Sequence, residues 1–245
     1  LLLLAASPAL AHEFLVKPDK TAVAPGQPVG VTVASAHVFI VSEELENPAN
    51  VQLTAMDAKG GRTAVALTPD AKRRVFVGHA AFKAPGWGVL IGHRLPEVWT
   101  NTPGGLKKGA KADYPGATMS TAYEKFSKTL ILVGKADASW KKPVDQRLEI
   151  MPITDPASFH TGQEASFQIL LDGKPLSTEV FATYDGCTKT PNSYAWRTET
   201  DDKGVAHVKF SHKGLWLVRV QHKEPGSQSG VNEHAMRSAL LFNVK

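Results

Sequence analysis

Residues 165–183 read ASFQILLDGKPLSTEVFAT, two strand-like runs joined by the turn Asp172-Gly173-Lys174-Pro175. Short runs rich in Ile, Leu, Val, Phe and Thr, bounded by Asp-Gly and Pro, read as β-strands with a tight connection. The pattern continues on both sides. Leu148–Met151 precedes it. Val205–Phe210, Leu215–Val220 and Ser238–Val244 follow, with Asp201-Asp202-Lys203-Gly204 as another turn. Six short strands in 146–245 predict a β-sandwich of immunoglobulin-like type.

The first half carries the same signal. Val29, Val31 and Val33 alternate with Gly30, Thr32 and Ala34 after the turn Pro25-Gly26-Gln27-Pro28, a period of two. Val51–Met56, Arg74–Phe82, Trp87–Ile91 and Thr129–Val133 are further strands, enough for a second sandwich over 12–135. Gly92–Ser120, rich in Gly, Pro and Lys, reads as a long loop. Thr121–Lys128 fits a helical turn or a strand. Gly134–Gln146 (GKADASWKKPVDQ) reads as a linker. Long amphipathic helices are absent, which argues against α/β and TIM-barrel folds. The expected fold class is therefore all-β, with two immunoglobulin-like β-sandwich domains in tandem.

The N-terminus adds a chemical feature. Leu1–Leu4 reads as the end of an apolar export segment, and Ala9-Leu10-Ala11 has the small-residue pattern of a signal-peptidase site. Residues 1–11 are thus expected to be a signal-peptide remnant, with cleavage leaving His12 first and placing the protein in the periplasm. An uncleaved anchor is the alternative. A His at a free N-terminus carries an α-amine and an imidazole on one residue and can chelate a metal with both. A coincidental His after the cleavage site is the plain reading.

Composition narrows the classes. The chain has 245 residues, 42% hydrophobic and 21% charged, the profile of an ordinary globular protein. The net charge of +5 is scattered, and its densest cluster, Lys107-Lys108 with Lys111, lies in a Gly-rich stretch. A basic stripe with interleaved aromatics is lacking, so nucleic-acid binding is not expected. Cys187 is the only cysteine, which excludes an intrachain disulfide; it reads as a lone thiol in a turn. His12-Glu13-Phe14-Leu15-Val16 begins like a zincin motif but has Val at the second ligand position. Gly226-Ser227-Gln228-Ser229-Gly230 has Gln where a nucleophile elbow needs Ser. Neither hydrolase nor nucleotide chemistry has support.

Histidine remains, with nine in the chain. Strand parity turns His207 to solvent, and His212 and His160 sit in turns. His79 is ambiguous. His222 has the inward parity of Trp216, Val218 and Val220 at a strand end, and His37 ends the Val29-Val31-Val33 row in the same way. His93 follows Val89 and Ile91 and opens the long loop. Glu233-His234 precedes the last strand and can fold back beside His222. Each is a hydrogen-bonded rim residue or a ligand. Partners for His12 are His37 and His222 first, then His93, His234 or Glu233. Such nitrogen-rich sets suit Ni(II), Co(II), Cu(II) or Zn(II) and disfavour Mg or Ca. Binding must displace protons, so affinity is expected to fall below neutral pH.

Several of these segments resemble one family in order and spacing. They are His12-Glu13-Phe14-Leu15-Val16-Lys17-Pro18, Ala36-His37-Val38-Phe39, and Lys111–Ala117 continuing to Tyr123–Lys128. In the second half they are Leu148–Pro152, Asp172–Leu176 and Trp216–Lys223. The chain is similar to a domain-of-unknown-function family described as the periplasmic component of cobalt/nickel ABC-type transport, or nickel-uptake substrate-specific region. The resemblance spans essentially all of 12–245. It implies an exported β-sandwich protein tied to Ni(II) or Co(II) uptake, with a cobalt/nickel transporter in the membrane as partner, and it favours His12, His37 and His222 as ligands. Asn232-Glu233-His234-Ala235-Met236-Arg237 stands where some members carry an aromatic-rich acidic segment. Glu233 thus remains a candidate ligand, and any role for His234 would be particular to this chain.

Three readings follow. The first is a non-enzymatic periplasmic protein that captures Ni(II) or Co(II) and passes it to an uptake system. The second is a copper-binding protein or an oxidative copper enzyme with an N-terminal histidine brace, for which Trp87, Trp99 and Tyr114 would have to form a substrate face. The third is an envelope scaffold.

Overall fold

The computed structural model describes residues 12–228 and 230–245. The expected cleavage site and the Leu1–Leu4 run lie outside the described residues. Among those described, no helix is long and apolar enough to cross a membrane.

The fold is all-β. The first half contributes β1 (Glu13–Pro18), β2 (Ala22–Val23), β3 (Pro28–Ala36), β4 (Val51–Met56) and β5 (Arg62–Ala64). It continues with β6 (Leu67–Asp70), β7 (Val75–Ala81), β8 (Gly86–Thr102), β9 (Gly105–Lys108) and β10 (Met119–Val133). The second half contributes β11 (Leu148–Pro152), β12 (Glu164–Leu171), β13 (Lys174–Pro175) and β14 (Glu179–Tyr184). Its last strands are β15 (Trp196–Glu199), β16 (Val205–Lys209), β17 (Gly214–Pro225) and β18 (Glu233–Val244).

A central sheet runs β15-β14-β17-β18-β10-β8-β4-β5, with β2 on β10 and β9 on β8. Its seam is parallel: β10 pairs with β18 from Thr121↔Glu233 to Thr129↔Leu241, so both halves of the chain share one sheet. Two smaller sheets cover its opposite faces. The first, β1-β3-β7-β6, packs Val16, Val31 and Phe76 against Leu90, Ile131 and Val133. The other, β11-β12-β13 with β16, packs Ile150, Phe167 and Val208 against Val89, Phe126, Val218 and Leu240. β8 and β10 are thus buried on both sides, which suits strands with apolar residues at both parities. Trp140 and Val144, from the stretch expected as a linker, are buried in the second of these cores.

Two sequence expectations are corrected and one open alternative is resolved. Gly92–Ser120 is not a long loop: β8 continues to Thr102, β9 returns along it, and β10 begins at Met119. This hairpin is largely exposed, so the apolar pattern that marks a buried strand is missing, and its Gly, Pro and Lys are poor strand formers. His93 consequently lies inside a strand rather than at a loop entrance. Thr121–Lys128 is strand, with its alternation masked by charges buried in pairs. Lys125 Nζ reaches Glu46 Oε1 at 3.0 Å, and Lys128 Nζ reaches Glu149 Oε1 at 2.7 Å. The last strand starts at Glu233, not Ser238, which brings His234 into the sheet.

β1 crosses the central sheet closely. Thr129 Oγ1 donates to the Val16 carbonyl at 2.5 Å, and the Val16 N–H donates to Ser127 Oγ at 3.3 Å. Gly92 makes the crossing fit, because a Cβ there would lie 2.6 Å from Val16 Cγ2 and 3.0 Å from Phe14 Cε1. Gly92→Ala is therefore expected to cost about 1–3 kcal/mol through overpacking. A thermal melt checks this, and an unchanged midpoint would show that the layers separate freely.

The buried charges also set an acid limit. Burial alone would raise the Glu13 and Glu46 carboxyls. Arg219 and Arg237 around Glu13, and Lys125 and Arg94 around Glu46, outweigh it and hold both below the ordinary 4.5. Folding thus favours the ionised forms. Their contribution is complete above the unfolded value and is lost as pH falls through the depressed folded values. The melting midpoint should be level above about pH 5 and fall below about pH 4.5, with a shallower fall in Glu46→Gln. A midpoint unchanged to about pH 3 would contradict this.

Candidate metal centre

His12 immediately precedes β1, and His37 immediately follows β3. β1 and β3 pair antiparallel with Glu13 opposite Ala36, so the ladder brings both histidines to the same end of the first sheet. Their ring centroids are 4.0 Å apart. A third group arrives through a tight turn. The Ile40 and Val41 N–H groups both donate to the Val38 carbonyl, at 2.9 and 2.8 Å, and the Glu43 N–H donates to the Ser35 carbonyl at 3.0 Å. Ile40 adopts φ +111°, a conformation that a β-branched residue rarely takes. Backbone strain of this kind collects at functional sites, where surrounding contacts hold it.

The turn lays Glu43 against both rings. Glu43 Oε2 is 2.8 Å from His37 Nδ1 and 3.5 Å from His12 Nε2, and Oε1 accepts the His37 backbone N–H at 3.0 Å. One potential ligand atom from each of His12, His37 and Glu43 can be chosen so that all lie within 4.8 Å of one another. Glu44 Oε2 lies 3.0 Å from His12 Nδ1. Burial pushes the Glu43 carboxyl up, but the hydrogen bonds from His37 prevail and hold it below the usual range. Glu44 is held low first by its hydrogen bond with His12. Both are therefore carboxylates near neutral pH, ready to act as ligands.

His37 Nε2 is buried and has no hydrogen-bond partner. Such a buried, unmade hydrogen bond costs about 1–3 kcal/mol, and a coordinated cation would remove that cost. Two imidazoles with one or two carboxylates fit Ni(II), Co(II), Zn(II) or Cu(II), but not the all-oxygen shells of Mg or Ca. An amine–imidazole chelate on His12 would use Nδ1, the atom that faces Glu44. The chelate requires Glu44 to move aside or to join the ligand set.

The other nominated residues lie elsewhere. His222, half-buried, pairs across from Met236, whose side chain belongs to the core beneath the third sheet. That is the face opposite Glu13 and Arg219, so His222 does not join His12. It lies instead near enough to Asp172 to influence its carboxyl. Glu233 is ion-paired with Lys223 at 3.0 Å. His93 and His234 both face Glu124, at 2.7 and 3.0 Å. Sequence reading missed Glu43, Glu44 and Glu124. The acidic pair Glu43-Glu44, six and seven residues after His37, was a usable signal, but only the strained turn shows that it folds back.

Fold and site together define an all-β sandwich protein with a histidine–carboxylate cluster beside a shared sheet. Residues 9–224 match the family described as Domain of unknown function (DUF4198), and the chain belongs to that family. No curated protein matches it. Among solved structures it is similar to the D0-D1 domain of intimin, at 14% identity over 95% of this chain and 98% of that one, with a TM-score of 0.24. A DUF4785 family protein from Legionella pneumophila shares 11% identity over 84% of this chain and 50% of that one, with a TM-score of 0.30. Trypsin-activated alpha-2-macroglobulin from Escherichia coli shares 14% identity over 96% of this chain and 16% of that one, also with a TM-score of 0.30. These likenesses bear on no functional question.

Proposed function

We propose that this is a non-enzymatic, exported metal-binding protein that captures Ni(II) or Co(II) at His12, His37 and Glu43 and passes it to a periplasmic-facing uptake system. The observation that carries the reading is the buried, unpartnered Nε2 of His37 beside His12 and an ionised Glu43. Half-buried ligands suit a cargo that must enter and leave. The choice of Ni(II) or Co(II) rests on the resemblance drawn from the sequence segments, since the matched family is described only as a domain of unknown function. A copper-binding role is the second reading, favoured by the closeness of the two imidazoles, since raw affinity of such a set peaks at Cu(II).

Calorimetric titration with Ni(II) and Cu(II) at neutral pH tests the proposal, using protein beginning at His12 and the same protein with one extra Ala in front. Tight binding by the His12 form alone assigns the α-amine as a ligand. Equal binding by both forms leaves the site to His12, His37 and Glu43 side chains. Absence of binding in both overturns the metal reading. A tighter Cu(II) constant would not by itself favour the copper role, so metal content after export in cells with balanced supply decides between the two.

A further inference from the structure

The turn that delivers Glu43 is fastened twice. Residues 38–46 form a strap with two isolated bridges, Val38 to Val41 within it and Ser35 of β3 to Glu44. The first tie comes from β3, where the Ser35 carbonyl accepts the Glu43 N–H at 3.0 Å. The second comes from Arg74, the residue before β7. Its Nη1 donates to the Glu43 carbonyl at 3.1 Å, and its own carbonyl accepts from Ser42 Oγ at 2.5 Å. Both main-chain polar groups of Glu43 are therefore engaged, the N–H by β3 and the carbonyl by a guanidinium from 31 residues further along the chain.

Two features single out Arg74. Its backbone adopts φ +56°, a left-handed conformation uncommon for residues other than Gly, Asn and Asp. The β6–β7 turn supports it, with the Arg73 N–H donating to Asp70 Oδ1 at 3.0 Å. Strain of this kind persists where surrounding contacts over-determine the conformation, and here those contacts run to the strap. The second feature is where the charge is spent. The Arg74 side chain is exposed, and among the described residues its guanidinium pairs with no carboxylate and donates to the Glu43 carbonyl instead. A charge-assisted bond of this type is stronger than a neutral one. The Glu43 carboxylate is left to the histidines, 2.8 Å from His37 Nδ1 and 3.5 Å from His12 Nε2. A cation on the carboxylate would compete with a metal; a cation on the carbonyl does not.

We propose that Arg74 is a positioning residue of the metal site: acting through the main chain alone, it holds the Glu43 carboxylate against His37 and His12 without being a ligand itself. The inference rests on the reading of His12, His37 and Glu43 as a metal site. A shift of the Glu43 backbone moves both carboxylate oxygens, Oε1 away from the His37 N–H and Oε2 away from the two rings. Without the guanidinium the strap loses its charge-assisted tie, and Glu43 samples positions away from the histidines. A metal would then have to order the strap as it binds, and that lost preorganisation appears as weaker affinity.

Arg74→Asn tests this in the whole protein beginning at His12, because Asn accepts a left-handed backbone but is too short to reach the Glu43 carbonyl. The first measurement, without metal, is amide hydrogen exchange at Glu43 and His37, whose N–H groups donate to the Ser35 carbonyl and to Glu43 Oε1. Both should exchange at least about tenfold faster in the variant, the scale of one charge-assisted hydrogen bond, with Val31 and Val33 in β3 unchanged. The second is titration with Ni(II). Affinity should fall by roughly 10–100-fold, as for outer-shell partners, and Arg74→Lys, which keeps a cationic donor, should recover part of it. Ser42→Ala removes the other half of the clamp and should free the same two amides, which covers the case of a poorly folded Arg74→Asn. Wild-type exchange at Glu43 and His37 overturns the proposal, and so does faster exchange spread through β3, the mark of a merely structural role. Unchanged Ni(II) affinity despite faster exchange overturns it too. If wild type binds no Ni(II) while Arg74→Asn still frees the two amides, Arg74 positions Glu43 and only the metal reading fails.

Discussion

Glu13→Ala is expected to destabilise the protein by about 3–5 kcal/mol, the range for removing one partner of a buried ion pair. Glu13 Oε1 takes Arg219 Nε at 2.8 Å and Arg237 Nη1 at 3.1 Å, and all three side chains are buried or nearly so. The Arg219 guanidinium is also stacked over Phe181 and Tyr194, 4.9 and 5.3 Å from their centroids, so it cannot swing out to water without leaving two rings uncovered. Without the carboxylate, two guanidinium groups would face each other in a low-dielectric layer. For a chain of this size the loss should lower the thermal midpoint by roughly 10 °C. The effect reaches the metal site as well, since Glu13 fixes the start of β1 and His12 is its neighbour. Thermal melts of Glu13→Ala, Arg219→Met and the double variant check the account. The double variant should lose less than the sum of the single losses, because its remaining charge is smaller. A loss below about 1 kcal/mol in Glu13→Ala would mean that solvent reaches the cluster.

His37→Ala is expected to weaken Ni(II) and Cu(II) binding at the metal site by at least about 100-fold, beyond the 10–100-fold typical of outer-shell partners. His37 supplies the unpartnered Nε2, and its Nδ1 also holds Glu43 in place. Stability should change little, since the substitution also removes a buried polar atom that lacks a partner. Glu43→Gln should weaken binding by roughly 10–100-fold, because the amide oxygen can still accept the His37 N–H but the charge is gone. His222→Ala should leave this site unaffected, in contrast to what strand parity suggested. Calorimetric titration of the three variants reads each result. A His37→Ala constant within threefold of wild type would remove His37 from the ligand set.

Sequence legibility followed burial. Val29, Val31 and Val33 were readable because one face of β3 meets a core and the other does not. The hairpin from Arg94 to Lys108 was not, since an exposed ladder held by backbone hydrogen bonds places little constraint on side chains. Thr121–Lys128 was obscured for the opposite reason, because its lysines are buried and neutralised by Glu46 and Glu149 far away in the chain. The site divided in the same way. His12 and His37 were recognisable from the cleavage pattern and a strand end. Glu43 and Glu124 were not, because a strained turn at Ile40 places the first and the second lies opposite a bulge at Leu95-Pro96 in β8.

By itself the sequence determined the all-β class, the position of most strand cores and the two histidines that meet at the end of the first sheet, since these depend on local periodicity and turn chemistry. The tertiary structure alone decided that both halves share one sheet through the β10–β18 seam. It also decided that His222, His93 and His234 lie across that sheet from His12. Strand parity states only which side of its own strand a residue occupies. Which layer covers that side, and which distant carboxylate comes with it, is set by non-local pairing and by the need to neutralise buried charge.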